Sequence, residues 1–110
     1  MIILRSVNSV VNTTDVDTLD EGSILDATNA MSVSYTVLNS GDESLDYTVV
    51  AGNASDLSDA VVVQNSATLA SGACGTYALT ISPYCFYGIF LISTVEETPS
   101  EATIKGRTKG

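Results

Sequence analysis

The chain has 110 residues, 45% of them hydrophobic, with 13 acids, 4 bases, no histidine and a formal net charge of −9. That length gives one domain, residues 1–110, with a core that needs no staple. The hydrophobic share excludes a disordered chain. So few bases argue against nucleic acid and against a membrane surface, since both need clustered Lys and Arg.

In chain order, Ile2 to Val11 alternates and reads as a first strand, broken near Asn8 and resumed at Val10. Arg5 interrupts the apolar start, so no secretory segment is expected. The expectation is folding in a reducing cytoplasm, unless an unseen route exports the chain. Asn12 to Glu21 is polar and acidic and reads as a solvated strand edge or loop. Its Asp15, Asp17, Asp20 and Glu21 lack the residue order and glycine of a calcium loop, so no metal site is expected. Gly22 to Thr28 reads as a short strand around Ile24 and Leu25.

Met31 to Gly52 is the clearest pattern. Met31, Val33, Tyr35 and Val37 alternate with small polar residues, as do Leu45, Tyr47, Val49 and Ala51. A period of two puts each set on one face of a sheet. Asn39 to Ser44 is turn chemistry, so the stretch reads as a hairpin. Asn53 to Asp59 reads as a single turn capped by Ser55, with Leu57 tucked inward. Ala60 to Gln64 is a strand, and Asn65 to Gly72 a connection anchored by Leu69. Ala73 to Ile81 alternates again, with Tyr77, Leu79 and Ile81 on one face. Pro83 marks a bend. Phe86 to Val95 is apolar on both faces and reads as a central strand. Ala102 to Gly106 is the last strand and Arg107 to Gly110 a tail.

These elements predict an all-β fold: one antiparallel β-sandwich of about eight strands, jelly-roll-like or Greek-key. The expected core is Val33, Tyr35, Val37, Leu45, Tyr47, Val49, Val62, Tyr77, Leu79, Ile81, Phe90, Ile92 and Ile104.

Reactive chemistry is hard to place. A triad lacks its histidine. A Ser-Lys pair would rest on Lys105 or Lys109, where desolvation is not expected. The acids sit in polar loops and read as solvated carboxylates. The chain is therefore expected to have no catalytic residue, no cofactor and no metal. Cys74 and Cys85 match no metal or redox spacing. Free, buried, inert thiols are expected, with a bridge as the alternative.

Two features read as partner contacts. Lys105, Arg107 and Lys109 alternate, so in an extended strand they point one way. They either guard an edge strand or dock on an acidic partner surface. Tyr84 and Tyr87 flank the Pro83 bend. They either pack the sandwich rim or form an exposed platform, as in a carbohydrate-binding or adhesion module.

The run Tyr35-x-Val37-x-Asn39-x-Gly41, then Leu45-Asp46-Tyr47-x-Val49-x-Ala51, resembles small β-sandwich virion proteins of tailed bacteriophages. So do the loop before Ala60-Val61-Val62-Val63, the Tyr84 to Thr94 region and the ending Thr103-Ile104-x-Gly106. The resemblance spans about Asn12 to Gly106. It implies a structural component of a virion, made in the host cytoplasm. A capsid auxiliary (decoration) protein comes first, with head–tail junction or tail-fibre components as the alternative. It also implies capsid or other virion proteins as partners and homo-oligomers in the particle. The apolar strand at Phe86 to Ile92 would then lie in a subunit contact, or simply at the sheet centre.

Overall fold

The computed structural model describes residues 4–79, 83–95 and 98–109. Eight strands form: β1 (Leu4–Asn12), β2 (Thr18–Asp26), β3 (Ser32–Asn39), β4 (Leu45–Gly52), β5 (Val61–Leu69), β6 (Cys74–Leu79), β7 (Phe86–Ser93) and β8 (Glu101–Lys109). They make two four-stranded antiparallel sheets, ordered β1-β8-β3-β6 and β2-β7-β4-β5, here called sheets A and B. The pairings fold the chain back on its own middle. β4 pairs with β5, β3 with β6, β2 with β7 and β1 with β8. That nesting is a jelly roll.

The stretch Met31 to Gly52 is therefore not a hairpin. β3 lies in sheet A and β4 in sheet B, and the turn between them crosses the sandwich. Both strands still face the core as their alternation requires, because a period of two fixes the face and not the partner. Other boundaries also move. β1 runs unbroken through Asn8, and β2 starts at Thr18, so the acidic segment is loop in its first part and strand in its second. β5 continues to Leu69, and β8 includes the expected tail through Lys109. In each case pairing with a neighbour carries a polar segment into the sheet.

The core lies between the sheets. Val33, Tyr35, Val37, Leu45, Tyr47, Val49 and Ile104 are buried there as expected. Tyr77 and Leu79 pack against it while half-buried, and Ile81 lies outside the described residues. In β7 the parity is reversed: Tyr87, Ile89 and Leu91 point inward, and Phe90 and Ile92 lie half-buried on the outer face. A strand apolar on both faces carries no parity signal. Val62 is likewise 56% exposed.

Hydroxyl groups repair the ladder where β2 shifts register between Asp20 and Leu25. Buried Ser23 donates to the Asp20 carbonyl (2.6 Å) and accepts from Ile89 N–H (2.9 Å). Its own carbonyl accepts from the Tyr35 hydroxyl of the opposite sheet at 2.6 Å. A buried break in a ladder is tolerable only with such replacements. The turn after β4 folds Leu57 over the outer face of sheet B. A Cβ on Gly88 would stand 2.6 Å from Leu57 Cδ1, so Gly88 makes the seat. Leu57 takes φ +59°, a strained conformation for this side chain. Asp59, rather than Ser55, pins this turn, accepting from Asn53 N–H (3.1 Å) and Ala54 N–H (3.0 Å).

Candidate docking face

The face begins with β8. Ala102, Ile104, Gly106 and Thr108 are buried, so Lys105, Arg107 and Lys109 must point outward, and all three are exposed. Successive cations along a strand stand roughly 7 Å apart. β8 is not an edge. It lies between β1 and β3, so edge protection does not explain the stripe.

The flanking strands set its surroundings. Asn8 and Thr36 lie opposite Lys105, Ser6 and Ser34 opposite Arg107, and Ser32 opposite Lys109. Each neighbour is uncharged. With Lys105 and Arg107 the side chains of Ser6, Asn8, Ser34 and Thr36 line a shallow open trough. The fourth base, Arg5, is engaged elsewhere: its Nη1 stands 2.8 Å from Asp26 Oδ2. That is the only ion pair among the described residues. Glu101 closes one end of the row, accepting from the Ser40 hydroxyl at 3.0 Å.

The outer face of sheet B is different in kind. Leu19, Ile24, Phe86, Phe90 and Ile92 are half-buried there beside Leu57. Asp17 and Asp46 lie close to each other beside this surface, and partial burial, then the Asp46 charge, holds the Asp17 carboxyl above its usual range. The protein thus has a basic hydroxylated face and an apolar acidic one.

The tyrosine pair does not form a platform. Tyr87 is fully buried, at 0% exposure, because β7 turns it into the core. Tyr84 is half-buried and stands edge-on to it, ring centroids 6.3 Å apart at 84°. Tyr77 also meets Tyr87, with ring centroids 6.2 Å apart. Tyr87 is therefore a packing residue, and a sugar cannot stack on it. Both thiols are free, yet neither is buried: Cys74 is exposed at the sheet edge and Cys85 is half-buried. Among the described residues no three acids or thiols gather as a metal site.

Two residues escaped the sequence reading. Asn39, taken as a turn residue, is fully buried. Ser100, just before β8, is its partner. Their only signal was placement beside apolar strand ends.

Fold and face together define an eight-stranded jelly-roll sandwich with a basic row on the outer face of sheet A. No family model matches the sequence, and no curated protein matches it. Solved structures share the fold. The Bacillus endospore appendage, a disulfide-linked pilus, matches with TM-score 0.55 at 11% identity over 97% of this chain and 87% of that one. The SPBc2 prophage-derived protein YomS matches with TM-score 0.54 at 10% identity over 94% and 96% of the two chains. The PBSX exported protein XepA matches with TM-score 0.60 at 9% identity, over 98% of this chain and only 37% of that one. At such identities the likeness is one of fold.

Proposed function

We propose that this protein is a non-enzymatic structural component of a bacteriophage virion, an auxiliary (decoration) protein held on the capsid lattice by the basic face of sheet A. The carrying observation is the row Lys105, Arg107 and Lys109 on an interior strand of a chain with net charge −9. Among the described residues these three cations form no ion pair. A flat face of cations and hydroxyls suits an acidic partner surface, where such charges steer association and fix orientation. The remaining acidity keeps the protein soluble before assembly. The shared fold of a prophage-derived protein along nearly the whole of both chains supports the same reading.

The test is attachment. The protein should sediment with purified particles at a fixed ratio to the major capsid protein. It should also bind preformed capsids lacking it. Recovery only in the soluble fraction, with no binding to capsids, overturns the proposal.

A further inference from the structure

A sandwich of two open sheets has four edge strands, here β1 and β2 on one flank and β5 and β6 on the other. The flanks are built differently. β2 carries Asp20, Glu21 and Asp26 and shifts register between Asp20 and Leu25. Arg5 of β1 reaches across to Asp26, and β1 packs along β2. Charges, irregularity and cover are the devices that stop a further strand from adding to a sheet.

The other flank lacks the charges. None of the chain's 13 acids and 4 bases lies in β5 or β6, and neither strand contains proline. β5 is at least irregular, with register shifts near Val49 of β4. β6 is regular. It pairs with β3 at six successive positions, from Leu38 with Cys74 to Val33 with Leu79. Its outward side chains, Cys74, Thr76 and Ala78, are small and exposed. Its inward Tyr77 and Leu79 stay half-buried, because β5 barely touches β6. Among the described residues no backbone group outside the sheet bonds to β6.

We propose that β6 is a strand-addition edge, and that its occupant is β6 of a second copy, antiparallel about a two-fold axis. Two chains of net charge −9 repel over most of their surfaces. The neutral flank is where they can approach. A strand paired antiparallel with itself is self-complementary, as a two-fold contact requires. Side chains must keep their faces across the pair. An axis through Thr76 satisfies this and sets Tyr77 of each copy against Gly75 of the other, a large residue opposite an empty one. The result is one continuous eight-stranded sheet in which each copy shelters the other's Tyr77 and Leu79. The outer face stays open, so the pairing does not depend on attachment to a particle.

Sedimentation velocity of the full chain from micromolar to millimolar concentration tests this. A reversible monomer–dimer equilibrium is expected. Thr76→Lys with Ala78→Lys should weaken the dimer at least about tenfold with an unchanged β-type circular dichroism spectrum. The matching pair Asn8→Lys with Val10→Lys, on the guarded flank, should leave the dimer intact. A second arm uses Thr76→Cys in a chain with Cys74→Ser and Cys85→Ser. A short bismaleimide should join two copies. A wild-type chain that stays monomeric overturns the proposal, whatever other partner is later found on that edge. So does a folded lysine variant that dimerises normally. If the lysine variant fails to fold, absence of the Thr76→Cys cross-link overturns it.

Discussion

Asn39 and Ser100 join the end of β3 to the approach to β8: the Ser100 hydroxyl donates to Asn39 Oδ1 at 2.7 Å, with both side chains buried. The rest of the amide is used as well. Asn39 Nδ2 donates to the carbonyls of Glu43 (2.7 Å) and Leu69 (2.9 Å), and Oδ1 also accepts from Gly41 N–H at 3.1 Å. One side chain thus ties the crossing turn to both sheets. Asn39→Asp removes both donations, sets a carboxylate oxygen against two carbonyls and buries a charge. It should cost about 3 kcal/mol or more. Ser100→Ala should cost only about 1 kcal/mol. Urea unfolding of the two variants checks the order.

Tyr35 should make the fold sensitive to alkali. Burial first, then the Asp20 charge, pushes its hydroxyl far above the ordinary 10.0. The folded state therefore holds this proton after the unfolded chain has released it. Stability is full below pH 10 and falls as the pH rises beyond it, by about 1.4 kcal/mol per unit for one such group. Tyr77 shifts the same way, again mainly through burial. Tyr35→Phe should flatten much of the slope and cost about 1 kcal/mol at neutral pH, since the Ser23 carbonyl loses its donor. Urea midpoints from pH 8 to 11 provide the check.

Gly106 should resist substitution. A Cβ there would lie 2.6 Å from Tyr35 Cε1, in the middle of an interior strand. Gly106→Ala must displace a ring held in the core. A loss of roughly 1–3 kcal/mol is expected, typical of overpacking. Thermal unfolding is the readout. A neutral result would mean the ring has room to move.

Reversing Lys105, Arg107 and Lys109 to Glu should leave the unfolding midpoint nearly unchanged, because all three are exposed. Capsid binding should weaken most at low salt, and the salt dependence should shrink. Wild-type affinity and salt response in a folded triple variant would detach the basic row from docking.

The thiols should differ in access. Cys74 is exposed and Cys85 half-buried, so a thiol reagent should modify Cys74 first in the native protein. Equal rates would contradict this placement.

Strand count and most inward positions were legible because alternation survives in Val33 to Val37 and Leu45 to Val49, where one face is polar. Phe86 to Ile92 offered no such contrast, and its parity came out reversed. The crossing between β3 and β4 was illegible for another reason. Asn39 to Ser44 has the chemistry of a turn, but whether a turn returns to its own sheet depends on Leu69 and Ser100, far along the chain. The basic row was visible as spacing. That it occupies an interior strand rather than an edge follows from pairings with β1 and β3, which no local pattern encodes.

The order of the strands also sets when this protein can fold. β8 is the last strand made, yet it separates β1 from β3, pairing Leu4 with Lys109 and Val33 with Thr108. Until β8 is made, sheet A is without its middle. β1 has no partner at that point, and the apolar β3 is exposed along one side. Sheet A therefore closes only once β8 has emerged, through contacts between strands far apart in the sequence. Such long-range pairing folds slowly and leaves open strands in the interval. During that interval the charge of −9 is the chain's main safeguard against aggregation.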